Sequence, residues 1–203
     1  KGGWLMLVLL IVSIISIAII IERMIRIKKA NLPDEKFFQD VKLSLENRQY
    51  EKAIQTCEHY HDNPMAAVLA KGIDAYTISL DEAEKVIHAA SKSEMHKLEK
   101  NLGGLASIAA IAPLIGFLGT VTGMVKVFMN IESMGGGVDI SLLAQGIWEA
   151  LLTTIGGLTV GIVSILFYNY LVGSVENIAR SIEDNVNQFM LDFRRKGDGT
   201  KSQ

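Results

Sequence analysis

The fold is decided by residues 141–171, which read SLLAQGIWEALLTTIGGLTVGIVSILFYNYL. This stretch is apolar almost throughout and carries one charged side chain, Glu149. At about 1.5 Å per residue, a helix of this length is longer than the ~30 Å needed to cross a bilayer. A carboxylate inside a membrane is costly and usually faces a bundle interior or a water-filled path. The stretch therefore predicts a transmembrane helix with a functional acid. Structural pairing of Glu149, or a place for it near the membrane interface, stays open.

Composition favours a membrane protein and limits the other functional classes. Hydrophobic residues make up 49% of the chain, aromatic residues only 7%, and glycine occurs 18 times, which is typical of helices packed closely in a bilayer. The formal net charge is -2, so the charge balance gives no reason to expect a nucleic-acid partner. A single cysteine, Cys57, excludes an internal disulfide.

Two further spans are predicted from the rest of the chain. Residues 4–21 are uncharged, and the basic residues after them place the N-terminus outside and the next segment in the cytoplasm. A capping-box pattern at residues 79–82 predicts a helix that runs unbroken over 81–131 and crosses the membrane with its second half. The apolar faces of these spans are expected to contact membrane lipids.

The sequence thus predicts an all-α membrane protein with three transmembrane helices, two of them extended far into the cytoplasm, and a small cytoplasmic helical region. In that region we expect a turn at 47–49 and a helix start at Asn63 and Pro64. The basic residues at 194–196 suit a cytoplasmic C-terminus, and the N-terminus is then periplasmic. The expected parts are a first transmembrane helix (1–22), the cytoplasmic helical region (23–80), the long helix (81–131), a periplasmic loop (132–140), the third span with its cytoplasmic extension (141–196) and a disordered tail (197–203).

Small residues follow one face of each of the last two spans in steps of three and four. Such stripes let helix backbones approach closely, and we interpret them as packing surfaces. Pro113 lies in the second span, where a proline can kink the helix. The glycines of the two stripes are Gly116, Gly119, Gly123, Gly157 and Gly161.

Hydroxyl side chains lie among these small residues, at similar predicted depths in two antiparallel spans. Thr120 and Thr122 are in the second span, and Thr153 and Thr154 are in the third. Thr153 shares a face with Glu149, whereas Thr154 lies roughly 140° around the helix from Glu149. Hydroxyls inside a membrane can coordinate a cation or hold a proton-conducting water chain. They can equally bond back to the carbonyl four residues earlier and do nothing else.

The polar part of the chain gives no pattern typical of catalysis or metal binding. Cys57, His59 and His61 are spaced by two, which spreads them over different helix faces, so we expect no metal site. The motifs Gly-x-Ser-x-Gly and His-Glu-x-x-His do not occur, and neither does a glycine-rich phosphate loop with lysine. We therefore expect neither an enzyme nor a bound cofactor.

Two motifs taken together resemble the MotA/TolQ/ExbB proton-channel family. Residues 112–124 read APLIGFLGTVTGM, and residues 146–158 read GIWEALLTTIGGL. The resemblance covers nearly the whole chain, and the compact cytoplasmic insert looks closer to ExbB and TolQ than to the larger MotA. By this resemblance Thr120, Glu149 and Thr154 match the family's functional positions, and Pro113 matches the family proline.

The resemblance implies a subunit of an ion-driven motor in the bacterial inner membrane. It implies a homo-oligomer, a pentamer around a pore, which encloses a single-span partner of ExbD or TolR type whose membrane aspartate carries the proton. Work would pass through a TonB-like energy transducer to TonB-dependent outer-membrane transport. Alternatives are a TolQ-like role in envelope maintenance and cell division, or a non-conducting membrane scaffold.

The chain departs from the usual family pattern at two positions. Thr122 and Thr153 stand where apolar or small residues are more common. Additional hydroxyl groups could serve as ligands for a metal cation as well as for a proton path. The choice between H⁺ and Na⁺ therefore stays open at this stage.

Overall fold

The computed structural model describes residues 3–31, 33–133 and 140–199, apart from the side chains of residues 142 and 192–199. All regular elements in these ranges are α-helices, so the predicted all-α class is confirmed. The helices are α1 (Gly3–Lys29), α2 (Glu35–Glu46), α3 (Tyr50–His59), α4 (Pro64–Tyr76), α5 (Leu80–Glu99), α6 (Leu102–Ser133) and α7 (Ile140–Gly199).

The predicted number of membrane spans is also confirmed. Three stretches of helix are long and apolar enough to cross a bilayer: Gly3–Lys29, Leu80–Ser133, which is interrupted at residues 100 and 101, and Leu143–Leu191. The extension of two of them into the cytoplasm stays a prediction. Of the predicted loop at 132–140, residues 132 and 133 belong to α6 and residue 140 to α7, and residues 134–139, with the three glycines and Asp139, lie outside the described residues. Helix α7 continues to Gly199, past its predicted end at 196, and the remainder of the predicted tail also lies outside the described residues.

The chain divides into two compact units. The first, here named the apolar unit, consists of Lys1–Glu22 and Asn101–Leu171, and the second, the polar unit, consists of Arg23–Lys100 and Val172–Gln203. Helix α6 belongs to the apolar unit and helices α2 to α5 belong to the polar unit, whereas α1 and α7 contribute residues to both.

The apolar unit leaves many large apolar side chains uncovered within the single chain. Trp4 on α1, Phe117 on α6 and Leu166 on α7 are each more than 60% exposed. Surfaces of this kind require lipid or another protein chain to cover them. In the interior of the unit, Ser16 and Ser164 are buried and their hydroxyls are hydrogen-bonded at 2.7 Å, which joins α1 to α7.

The prediction of one unbroken helix over 81–131 is wrong at its centre. Helix α5 ends at Glu99 and α6 begins at Leu102, with Lys100 extended and Asn101 in the left-handed region at φ 67°. Asparagine tolerates this conformation better than most residues. The Asn101 Nδ2 group donates a hydrogen bond to Glu22 Oε2 at 3.2 Å, which holds the side chain of the break residue against α1.

The polar unit is built from short amphipathic helices around a shared core. Helices α2 and α3 are separated by residues 47–49, which confirms the predicted turn, and the Asn63 side chain accepts a hydrogen bond from Met65 N at the start of α4. Most of the buried side chains in this core are aliphatic, and Phe37 adds a ring whose centroid lies 5.0 Å from that of Tyr60. The second half of α7 closes this core, because Val175, Ile182 and Val186 are buried.

Candidate functional site

The packing surface between α6 and α7 consists of glycines that face the backbone of the opposite helix. A methyl group placed on Gly116 would lie 2.8 Å from Thr153 O, and one on Gly157 would lie 2.5 Å from Ala112 O. Real carbon atoms essentially never approach a backbone oxygen this closely without displacing it. The absence of side chains at these positions therefore sets the spacing of the two helices.

The other predicted packing residues lie at the same surface. Gly119 faces the Thr153 side chain, and Gly123 faces Ala150. Pro113 packs against Gly161, where an added methyl group would lie 2.5 Å from the proline Cγ. Helix α6 continues as α-helix through Pro113, so the residue acts here through contact with α7.

A pair of hydroxyl groups lies within this packing surface. Thr120 on α6 and Thr154 on α7 are hydrogen-bonded to each other through their Oγ1 atoms. Each also has a carbonyl oxygen of the facing helix as an acceptor: Thr120 Oγ1 is 3.3 Å from Ala150 O, and Thr154 Oγ1 is 3.0 Å from Gly116 O. Two spans thus bring together the two threonines that the sequence placed in separate motifs.

The two additional threonines differ from this pair and from each other. Thr153 is 3% exposed and its hydroxyl donates to Ala150 O at 2.7 Å, with Gly116 O of α6 at 3.3 Å. The hydroxyl of Thr122 is 2.9 Å from Leu118 O and 3.2 Å from Gly119 O, both in its own helix. Thr122 therefore bonds back to its own backbone and does not join the hydroxyl pair.

Glu149 lines a cavity of about 590 Å³ in the apolar unit. The cavity is formed by the start of α1 with Trp4, by the second half of α6 and by the first half of α7. Thr153 lines it together with Glu149, whereas Thr154 does not, as expected from the angle between these positions on the helix. The carboxylate and the hydroxyl pair are thus on different faces of α7.

Three polar residues of this cavity were not identified from the sequence. They are Lys126 and Asn130 on α6 and Gln145 on α7. The sequence does contain a signal for the two α6 residues, because they continue the spacing of the glycine stripe. One helix face carries, in steps of four, three and four, Gly119, Gly123, Lys126 and Asn130. Lys126 ends the uncharged run of the second span, and its charge hides the repeat from a search for apolar and small residues.

Among its described residues, the polar unit offers neither a metal site nor an activated thiol. Among the residues that the structure describes, no three His, Cys, Asp or Glu side chains are grouped closely enough to hold a metal ion. Cys57 is buried, and burial raises the pKa of its thiol to about 12. A thiol that stays protonated is a poor metal ligand and a poor nucleophile.

Comparison with known proteins places this geometry in a family. Residues 60–184, which include all of α6 and the Glu149 segment of α7, match the MotA/TolQ/ExbB proton channel family. The chain belongs to the MotA/TolQ/ExbB proton channel family. The resemblance stated from the two sequence motifs is thereby confirmed, and the family is one of membrane transport subunits.

Individual relatives carry the names of two systems. The chain is 30% identical to "Putative biopolymer transport protein ExbB-like 1" of Synechocystis over 174 residues, which are 85% of this chain and 68% of the relative. It is 29% identical to "Biopolymer transport protein ExbB" of Neisseria meningitidis over 180 residues, 80% of this chain and 78% of the relative. It is 30% identical to "Tol-Pal system protein TolQ" of Haemophilus influenzae over 115 residues, 57% of this chain and 50% of the relative. Such relatives support a membrane energy-transduction subunit.

Proposed function

We propose that this protein is the pore-forming subunit of a proton-driven motor in the bacterial inner membrane. With a single-span partner of ExbD or TolR type, it converts proton motive force into mechanical work. The work reaches TonB-dependent outer-membrane transport through a TonB-like transducer. A TolQ-like role in envelope maintenance is the alternative within the same mechanism, since relatives of both names match the chain.

One observation carries this proposal: the hydroxyl pair of Thr120 and Thr154 lies between two spans that also border a cavity lined by Glu149. A carboxylate and hydroxyls are groups that can accept and pass a proton inside a membrane. Each hydroxyl of the pair has more than one acceptor within reach, so it can change its hydrogen-bond partner without losing all bonding.

The uncovered surface of the apolar unit supports assembly with other chains. Side chains such as Phe117 and Trp148 are more than 60% exposed in the single chain. In the proposed complex, copies of the chain form a homo-oligomer, a pentamer by family resemblance, and the partner's membrane aspartate meets Thr120 and Thr154 in turn. The remaining apolar surface contacts lipid.

The proposed orientation has the N-terminus in the periplasm and the C-terminus in the cytoplasm. Arg26, Lys28 and Lys29 occupy the last turn of α1, and basic residues next to a span favour the cytoplasmic side. The polar unit is then the cytoplasmic part of the protein, and the start of α1, which lines the Glu149 cavity, is on the periplasmic side.

A non-conducting scaffold is the competing function. The observation that favours it is the set of glycine contacts between α6 and α7, because helix packing alone explains these small residues. The decisive experiment is to purify the complex from its own membranes in mild detergent and identify its members by mass spectrometry. A single-span protein with one membrane aspartate and a periplasmic domain supports the motor, and that domain identifies the system. Proton flux in liposomes that contain the complex completes the test; a homo-oligomer with no such partner and no flux supports the scaffold.

A further inference from the structure

The cavity beside Glu149 also contains a basic residue. Lys126 on α6 and Glu149 on α7 are the two charged side chains among the described residues that line it. The start of α1 contributes Gly3, Trp4 and Leu5, which carry no side-chain charge. Among the described residues, therefore, Glu149 shares the cavity with a single other charged group, and that group has the opposite sign.

The rest of the lining is polar but neutral. Asn130 and Thr122 line the cavity from α6, and Gln145 and Thr153 line it from α7. Amides and hydroxyls can hold a hydrogen-bonded chain to a carboxylate, because they both donate and accept. With one positive and one negative group, the cavity has no net charge from the described side chains when both are ionised.

We propose that Lys126 is the counter-charge of Glu149 and, by neutralising the cavity, makes it selective for protons over metal cations. The selectivity for protons rests on the proposed function, whereas the pairing of the two side chains does not. The ordinary alternative is that Lys126 extends its ammonium to the membrane surface and has no effect on Glu149.

The physical argument concerns what each ion needs. Sodium is a hard cation that is bound by several oxygen ligands, and a fixed ammonium in the same cavity repels it. A proton reaches a carboxylate along hydrogen bonds and needs no such shell. Lysine suits the role because its ammonium is a compact charge on a flexible four-carbon stem, and Lys126 is exposed rather than packed in place.

The test is the rate at which dicyclohexylcarbodiimide, which attacks protonated carboxyl groups, labels Glu149. The complex as purified from its own membranes is placed in lipid nanodiscs at mildly alkaline pH, and the Glu149 peptide is followed by mass spectrometry. Removal of a nearby opposite charge favours the protonated carboxyl by about tenfold or more. We therefore expect Glu149 to be labelled about tenfold faster in Lys126→Gln than in the wild type.

Two variants separate charge from shape. Lys126→Arg keeps the charge and is expected to label at the wild-type rate. Lys71→Gln, which removes the charge of an exposed lysine that does not line the cavity, is expected to do the same. The pairing is overturned if Lys126→Gln labels at the wild-type rate, or if Lys126→Arg labels as fast as Lys126→Gln.

Sodium chloride against choline chloride at equal ionic strength tests selectivity. We expect sodium to leave wild-type labelling unchanged and to slow the labelling of Lys126→Gln. The selectivity claim is overturned if sodium protects the wild type from labelling, or if sodium fails to protect Lys126→Gln. Labelling needs no ion flux, so a complex that conducts no protons would count against the proposed function while the pairing of Lys126 with Glu149 is still measured.

Discussion

The hydroxyl of Thr120 on α6 is hydrogen-bonded to the hydroxyl of Thr154 on α7, within a contact where glycines let the two helices meet. Both hydroxyls also lie within reach of Gly116 O, at 3.4 Å and 3.0 Å. A hydroxyl donates one hydrogen bond at a time, so two protons are shared among three or more acceptors. The pair can therefore rearrange its hydrogen bonds in place, which is the property that the carboxylate of the proposed partner would use.

The first prediction concerns this pair. Thr154→Ala removes one hydroxyl and leaves Thr120 with carbonyl acceptors only. We expect proton flux through the reconstituted complex to fall by about tenfold or more, since one lost hydrogen bond at a polar group is worth ~1–3 kcal/mol. Assembly, measured by size-exclusion chromatography, should be unchanged.

Thr154→Ser is the matched control, because it retains the hydroxyl and should retain most of the flux. If Thr154→Ala instead dissociates the complex, or if flux is never seen in the wild type, the threonine acts as packing and the scaffold interpretation gains support.

The second prediction concerns the spacing of α6 and α7. A methyl group added in Gly157→Ala would lie 2.5 Å from Ala112 O and 2.8 Å from Gly116 Cα, so the helices must separate. Overpacking of this kind typically costs about 1–3 kcal/mol. We expect a lower midpoint of thermal unfolding in detergent.

Gly173→Ala provides the control on the same helix, because a methyl group there meets no atom within 4 Å. Alanine is the better helix former, so this variant should be as stable as the wild type or slightly more stable. Equal midpoints for the two variants would contradict the assigned role of Gly157.

Much of this site could be predicted from the sequence because helix periodicity is regular. The positions of Gly116, Gly119 and Gly123 on one face follow from steps of three and four, and the separation of Glu149 from Thr154 follows from the angle per residue. The contact between Thr120 and Thr154 could not be predicted in this way. It depends on the register between the two helices, and no pattern within either helix contains that register. The resemblance to a known family paired the two residues by motif, and the structure supplied the contact.

The break between α5 and α6 shows the opposite case. Lys100 and Asn101 are neither glycine nor proline, and Gly103 and Gly104 nearby are helical. The break residue makes a long-range contact: Asn101 donates a hydrogen bond to Glu22, which is 79 residues away along the chain. Local propensity gave no signal for it, because asparagine in the left-handed region is allowed but not required.

The third prediction concerns the end of α5. Arg23 is 1% exposed, and its Nη1 group donates to Lys97 O at 3.1 Å, with Leu98 O at 3.4 Å, in the last turn of that helix. The final carbonyls of a helix have no partner within it and carry partial negative charge. Arg23→Met keeps the bulk but removes the donors, and we expect a loss of about 1.5–3 kcal/mol with faster hydrogen exchange in the last turn of α5.

Arg180→Met is the control for that variant. Arg180 is exposed and bonds Asn177 of its own helix at 2.7 Å, so its replacement should change stability by less than about 0.5 kcal/mol. Unchanged exchange in α5 after Arg23→Met would show that the carbonyls find other partners and that Arg23 does not cap the helix.

The fourth prediction follows from the buried thiol of Cys57. Burial raises its pKa from 9.0 to about 12. Between these values the unfolded chain has lost the proton while the folded chain retains it, so the free energy of unfolding falls as pH rises through this window. The full contribution is present below pH 9 and decreases by at most ~1.4 kcal/mol per pH unit above it.

The measurement is the midpoint of thermal unfolding at a series of pH values for the wild type and Cys57→Ala. The variant starts from a lower midpoint because the buried thiol is replaced by a smaller group, so the comparison is of slopes. Its midpoint should fall less steeply above pH 9. Some fall should remain, since burial also raises the pKa of Tyr76. Parallel slopes in the two proteins would mean that the Cys57 thiol has the same pKa in the folded and the unfolded chain, and would contradict this prediction.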